Sequence, residues 1–342
     1  MNVLCTGGAG YVGSACLRRL LRFGYDAVAY DNLSTGNRAA VPDGRLIVGD
    51  ILDRDALERT MRDCRIGAVM HFAALASVPD SIADPGSYWL TNVIGTKNVL
   101  DAMVECDVPL ILFSSTAATY AFTSDMPLTE SSLQDPHVPY GTTKLTAERL
   151  IHDYARAYGL GYTFLRYFNA SGADPDGTHG EARAAESHLI PLIFGVATGR
   201  REKLTVYGGD WPTPDGTCIR DYVHTTDLAA AHQLALETLE PGMGRAYNVG
   251  SGSGSSVLEV IGACESVIGR SIPYEVVERR PGDPAVLIAS PSKLEQELGW
   301  KRRYDRLSTI VETAWAWHRI HPDGYATSSS MAGPLHAETR SE

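Results

Sequence analysis

The chain has 342 residues, 44% hydrophobic and 21% charged, with a formal net charge of −11. That length holds one large domain or two modest ones, and the acidic balance argues against nucleic acid or an anionic membrane as the main partner. Six scattered cysteines form no C-x-x-C pair and read as reduced, mostly buried thiols of a cytoplasmic chain.

The first 31 residues organise the rest. Asn2–Thr6 reads as a strand, Gly7-Gly8-Ala9-Gly10-Tyr11-Val12-Gly13 as a glycine-spaced turn, and Ser14–Phe23 as a helix with Cys16, Leu17, Leu20 and Leu21 on one face. Gly24 stops that helix, and a second strand, Ala27–Tyr30, ends at Asp31. Strand, turn, helix, strand and a closing acid make a dinucleotide site. Gly7 permits the tight turn, Gly10 lets backbone approach a pyrophosphate, and Gly13 lets helix and strand pack closely. The helix N-terminus offers free N–H groups to the phosphates. Asp31 can accept from both ribose hydroxyls of NAD, and its charge repels the 2′-phosphate of NADP. Since the first strand begins almost at Met1, no signal peptide is expected.

A polar loop, Asn32–Asp43, leads to a strand at Arg45–Val48 and then Asp50. An acid there can reach an adenine amino group, or it can cap the helix that begins near Asp53; the sequence leaves both readings open. Ala68–Phe72 reads as a strand running into Ala73-Ala74, small residues that let a cofactor lie close. Thr91–Cys106 reads as one long helix and Val108–Phe113 as the next strand. Such alternation predicts an α/β fold, a doubly wound Rossmann-type parallel sheet with its ligand across the carboxyl ends of the strands.

That edge receives Ser114-Ser115-Thr116. Further on, Pro139 starts a helix to about Tyr158 that opens Tyr140-Gly141-Thr142-Thr143-Lys144. Four-residue spacing puts Tyr140 and Lys144 on one helix face. A phenol has a reference pKa of about 10, so it needs positive charge nearby to act as a base at neutral pH; the lysine one turn away and a positive nicotinamide ring would supply it. Thr116 adds a hydroxyl to share a substrate proton. The ten histidines show no H-E-x-x-H or Cys/His cluster, so no metal is expected. No apolar run reaches membrane-span length.

These motifs resemble the extended short-chain dehydrogenase/reductase family, and within it the branch of UDP-sugar 4-epimerases. The resemblance runs from Met1 to about Tyr325 and is carried by Thr6–Gly13, Asp31-Asn32-Leu33, His71–Ala74, Tyr140–Lys144, Arg166-Tyr167-Phe168-Asn169, His188–Pro191, Asp215-Gly216-Thr217, Arg220-Asp221-Tyr222 and Arg279–Asp283. It implies tightly held NAD and a reaction that borrows hydride from the sugar C4 and returns it to the opposite face, interconverting UDP-galactose and UDP-glucose. Cofactor contacts implied this way include Tyr11, Val12, Asn32, Leu33, Ile51, Phe72, Ala76, Thr91 and Phe168. Substrate contacts implied are Asn169, His188, Leu189, Thr205, Tyr207, Tyr222 and Leu287, with Arg220 and Arg280 on the diphosphate and Asp283 on the uridine ribose. A homodimer through the helices near 91–106 and 140–158 is implied as well.

The 4,6-dehydratases of the family carry Asp-Glu after this threonine, and nucleotide-sugar decarboxylases carry Glu at the second of those positions. Here they are Ala117 and Ala118, which have no proton to move. Four positions depart from the epimerase pattern. Ala121 follows Tyr120 in place of Gly, Ala76 replaces a Lys of some relatives, and Thr91 replaces an Asn. Leu287 stands where relatives carry Tyr or a small residue, which leaves N-acetylhexosamines open; UDP-pentose epimerases share nearly all these motifs. Residues 1–168 read as the NAD-binding domain and 169–325 as mainly a smaller α/β substrate domain, the chain crossing back to the sheet around 220–250. Asp227–Leu239 and Leu307–His318 read as helices, Ala246–Gly250 as strand and turn, and Gly250–Ser256 as a plain loop before a helix at Val257. The Ser-, Gly- and charge-rich stretch from Ala326 is expected to be disordered.

Overall fold

A computed structural model describes residues 1–325 apart from Ser124, Ala184 and Pro281. Its first half runs β1 (Asn2–Thr6), α1 (Tyr11–Arg22), β2 (Asp26–Asp31), β3 (Leu46–Val48), α2 (Arg54–Asp63), β4 (Ile66–His71), α3 (Val78–Ala83), α4 (Pro85–Tyr88), α5 (Gly95–Glu105), β5 (Leu110–Thr116), α6 (Pro139–Tyr158) and β6 (Gly161–Tyr167). The second half runs β7 (Asn169–Ser171), α7 (Leu189–Ala197), β8 (Leu204–Tyr207), β9 (Ile219–His224), α8 (Thr225–Glu237), β10 (Gly244–Val249), β11 (Gly254–Ser256), α9 (Val257–Ile268), β12 (Tyr274–Val277), β13 (Val286–Leu287), α10 (Ser292–Leu298) and α11 (Leu307–Ile320).

Seven strands form one sheet in the order β10-β6-β5-β4-β1-β2-β3, with every neighbouring pair parallel. Parallel strands need both faces covered. Leu17 and Leu20 of α1 and Leu228 and Ala231 of α8 cover one face. Leu57 of α2, Leu100 of α5 and Ile151 of α6 cover the other. The order reverses beside β1, so the loops after β1 and β4 diverge and leave a crevice at the carboxyl edge. This is the doubly wound Rossmann-type sheet.

A smaller set of strands sits on that edge. β9 pairs with β7, β11 and β13, and β8 pairs with β12. Helices α7, α9 and α11 close over Ile193, Phe194, Val260 and Val311. β10 rejoins the large sheet beside β6, in register from Gly244 opposite Tyr162 to Val249 opposite Tyr167.

Several local expectations change. The helix expected at 91–106 begins earlier, at Pro85, and passes through a π-helical stretch, Trp89–Ile94, before α5. The widened turn places Asn92 inward, buried. The loop expected at 250–256 contains β11, antiparallel to β9, and Ser256 then caps α9 in a reciprocal box with Glu259. Asp53, not Asp50, caps α2, accepting from the Ala56 N–H at 2.9 Å. The expectation for the stretch from Ala326 falls outside the described residues.

Candidate active site

β5 ends at Thr116, and the chain turns through Ala117 and Ala118. Pro139 occupies the first position of α6, where its missing N–H costs nothing, so Tyr140 falls in the first turn. Gly141 makes the approach possible: a Cβ there would lie 2.2 Å from the Ala118 carbonyl oxygen. Strand end and helix start are thus pressed together, which puts the Thr116 hydroxyl close enough to favour the Tyr140 phenolate. Tyr88 packs edge-on against Tyr140, with centroids 6.5 Å apart. One turn along α6, Lys144 is buried with Nζ 4.2 Å from the centre of the Phe113 ring.

Burial opposes charge on both groups. Burial raises the Tyr140 phenol above its ordinary value; the Thr116 hydrogen bond and the Arg183 charge pull the other way and do not win. Lys144 is itself pushed down to about 7 by burial, with Glu148 opposing. Desolvation therefore governs the phenol, and the charge that opposes it is that of Arg183. His71, also buried, is held neutral at about 3 by burial and then by the Lys144 charge. Its ring spans Thr6 Oγ1 at 2.6 Å and Thr96 Oγ1 at 2.9 Å, pinning β4 between β1 and α5.

The glycine turn lies on the other side of the crevice. Gly7 has φ +69°, and a Cβ on it would sit 2.5 Å from the Ala73 N. A Cβ on Gly13 would sit 2.2 Å from the Gly7 carbonyl oxygen. Gly10 precedes α1 with no capping side chain, and the first turn holds no acidic residue, so the helix end carrying Tyr11, Val12 and Gly13 keeps its N–H groups for an anion. Asp31 accepts from the Ala9 N–H at 2.9 Å and the Leu33 N–H at 2.8 Å. Gly36 keeps space over that carboxylate, since a Cβ would come within 2.9 Å of Oδ1. Asn32 donates to Asp50 at 2.9 Å, so these two cofactor candidates stand together. Ile51 is buried against α5, with Ala73 and Ala74 half-buried and Ala76 exposed after β4. Thr91 is half-buried; its neighbour Asn92 binds both Leu75 backbone groups and donates to Thr143 Oγ1 at 3.1 Å.

The second half supplies three further groupings. Phe168 is buried with Ala117, Tyr120, Leu128 and Ala289, and Leu287 packs onto that cluster. Leu287 pairs with Arg220 across β13 and β9. Arg220 donates to the Ile219 and Pro284 carbonyls at 2.9 and 2.8 Å and faces Asp283 at 3.6 Å. The Arg280 guanidinium lies 4.2 Å over the ring of exposed Tyr207, on the same strand as Thr205. Asn169 is exposed at the start of β7, whereas Tyr222 is buried in the α7–α9 core. His188 precedes Leu189 at the start of α7 and meets Glu181 at 2.6 Å; Arg183 shares the same oxygen at 2.9 Å. Burial would raise Glu181, but His188 and Arg183 hold it down at about 2. Glu186 lies close by, so the three side chains Glu181, Glu186 and His188 cluster.

A family model for the NAD dependent epimerase/dehydratase family matches residues 3–250. The UDP-glucose 4-epimerase of Corynebacterium glutamicum is 51% identical over 318 residues, covering 93% of this chain and 95% of its own. The chain belongs to this family. Among solved structures, the UDP-glucose 4-epimerase of Brucella ovis in complex with NAD has a TM-score of 0.88 at 48% identity, over 92% of this chain and 98% of its own. The enzyme of Bifidobacterium longum in complex with NAD+ and UDP has a TM-score of 0.91 at 36% identity, over 95% of this chain and 100% of its own.

For a member of the NAD dependent epimerase/dehydratase family the crevice fits its cofactor. An uncapped helix end is free to take a diphosphate, and Asp31 retains acceptor capacity, because a carboxylate has about four lone-pair sites and two are used. Sequence reasoning missed Gly36, Gly141 and Asn92, whose roles are steric or depend on the π-helical turn. It also missed the buried Glu148–Arg166 pair beneath Lys144. Glu148 stands four residues after Lys144, a spacing visible in the sequence.

Proposed function

We propose that the chain interconverts UDP-galactose and UDP-glucose by inverting the sugar C4. One observation carries this reading beyond family membership. The Gly141–Ala118 approach presses Tyr140 towards the strand end at Thr116, whose next two residues, Ala117 and Ala118, offer no acid or base for elimination or decarboxylation.

Tyr140 takes the proton of the C4 hydroxyl and later returns one to the other face of the sugar. Thr116 steadies the oxygen during both transfers. The positive charge that the buried phenol needs to ionise would come from Lys144 together with the oxidised nicotinamide ring. NAD, held by the Gly7–Gly13 turn, the start of α1 and Asp31, would supply the redox chemistry, a reversible hydride transfer at C4. Arg220 and Arg280 hold the diphosphate, Asp283 the uridine ribose, and the 4-keto sugar turns about its link to that anchor. Thr205, Tyr207, His188, Leu189 and Tyr222 border or support the uridine, and Asn169 contacts the sugar. Leu287 leaves more room beside Phe168 than a tyrosine would, which favours some acceptance of N-acetylated sugars.

The chain acts as a cytoplasmic homodimer in galactose metabolism. Support comes from Trp89, Leu90 and Ile94, which are 42%, 50% and 45% exposed along the helix that starts at Pro85. Among the described residues no helix is long and apolar enough to cross a membrane. The test is incubation with UDP-galactose and no added cofactor. UDP-glucose should form; its absence from protein with confirmed bound NAD sinks the assignment.

A further inference from the structure

Two consecutive arginines each lie over an aromatic ring at the open end of the small sheet. β8 and β12 run parallel with Tyr207 opposite Val277 at their ends, and the Gly208 N–H extends the pairing to the Val277 carbonyl at 2.9 Å. Beyond that point β8 runs into the 208–217 loop and β12 into residues 278–280. Arg280 covers Tyr207, and Arg279 covers half-buried Trp211 with its Cζ 4.3 Å from a ring centre. The two guanidiniums differ in what else they touch. Among the described residues that of Arg280 has no hydrogen-bond acceptor, so its N–H groups stay available to an anion. Arg279 is committed to the other loop: Nε meets Asp210 Oδ1 at 2.7 Å, and Nη2 donates to the Asp210 carbonyl.

The stack has a place made for it. Gly208 has φ +84°, and a Cβ there would sit 2.4 Å from Trp211 Nε1 and 2.8 Å from Arg279 Cγ. Glycine is therefore needed both by the turn and by the two side chains that lie over it. Trp211 Nε1 donates to the Tyr207 carbonyl at 3.3 Å, so the ring is tied to the residue beneath Arg280. An exposed ion pair alone contributes little, and Asp210 and Arg279 are 77% and 40% exposed. Here the pair comes with a second bond from the same planar fork and with a ring face, a combination that an ammonium does not reproduce. All of these contacts join one loop to the other, one residue from Arg280.

We infer that Arg279 is a positioning residue for nucleotide binding: held by Asp210 and Trp211, it locks the 208–217 loop to residues 278–280 and keeps Arg280 in place over Tyr207. This rests on the role proposed for Arg280 at the diphosphate. Arg279 acts through the clasp, its own charge being answered by Asp210. Losing either partner frees the backbone at 279–280, so the cost falls on binding of the nucleotide and spares the chemistry at C4.

The experiment compares NAD-loaded parent with Arg279→Gln, Arg279→Lys, Asp210→Asn and the double variant Asp210→Asn with Arg279→Gln. Both side chains lie at the surface, so the variants fold. Calorimetric titration with UDP reads the nucleotide site, and kcat and KM for UDP-galactose read the reaction. Arg279→Gln and Asp210→Asn should each weaken UDP binding by about five- to tenfold and raise KM alike, with kcat within about twofold of the parent. Arg279→Lys keeps the charge without the fork and should recover only part of that loss. The double variant should be no weaker than the worse single one, because both substitutions break the same contact. Asp210→Asn separates the clasp from a direct phosphate contact: tighter UDP binding in that variant would show Arg279 acting on the phosphates itself and overturn the inference. Parent-like UDP affinity in both single variants, or a loss confined to kcat, overturns it too. If the parent does not bind UDP, the reading of Arg280 and the inference fall together; if it binds UDP without epimerising the sugar, only the functional reading fails, and the titrations still decide the role of Arg279.

Discussion

Tyr140→Phe separates chemistry from architecture at the point where the structure joins them. The substitution removes one oxygen. The ring keeps its edge-on contact with Tyr88, 82° between planes, and α6 keeps Pro139 and Gly141 at its start. Thr116 Oγ1 keeps the Ala118 N–H it accepts from at 3.2 Å, and a buried hydroxyl no longer needs desolvating. Unfolding free energy should therefore change by less than about 1 kcal/mol. Turnover should not survive. A positioned acid–base group contributes about 10²–10⁴-fold, or roughly 3–5 kcal/mol of barrier. The assay is conversion of UDP-galactose without added cofactor, with bound NAD and thermal unfolding measured on the same preparation. Turnover within about tenfold of the parent, at equal NAD content, would refute the assignment of Tyr140.

Other perturbations test the surroundings. Asp31→Asn keeps the shape but loses the charge that faces a 2′-phosphate; the preference for NAD over NADP should shrink by about tenfold or more, read by titrating cofactor-free protein, and an unchanged ratio counts against Asp31 as the selector. Gly141→Ala places a methyl 2.2 Å from the Ala118 carbonyl oxygen; about 1–3 kcal/mol of stability should be lost along with most of kcat, whereas normal kcat would show that the close approach is dispensable. Glu181 is held down at about 2 from 4.5, so it contributes stability that is full above pH 4.5 and lost as pH falls towards 2. Glu181→Gln should remove up to about 3 kcal/mol at neutral pH and flatten the acid-unfolding curve over that window; an unaltered curve contradicts the pairing with His188 and Arg183. Leu287→Tyr should lower turnover of UDP-N-acetylgalactosamine relative to UDP-galactose, and an unaltered ratio would remove Leu287 from substrate selection.

Legibility followed the range of the interactions. β1, α1 and β2 are dictated by short-range rules, so glycine spacing and the alternation of apolar runs located them to within a few residues. Tyr140 and Lys144 were visible because helical periodicity fixes residues four apart. What stayed hidden depended on distant partners. Gly141 matters only because Ala118 comes against it from another element, and Asn92 turns inward only because the helix widens at Trp89–Ile94. β11 exists because β9 offers an edge to a Gly/Ser-rich stretch that has no strand signal of its own. The state of Tyr140 follows the same rule: spacing reveals the lysine, but only packing reveals that burial pushes both groups towards neutrality.

The central claim is that C4 keeps its own hydrogen while its configuration inverts. The most direct measurement starts from UDP-galactose deuterated at C4 and reads the label in recovered UDP-glucose by mass spectrometry and NMR. Deuterium should remain at C4 through many turnovers, with none entering solvent or free coenzyme. Label appearing in either pool, or product protonated at C4, would contradict the account.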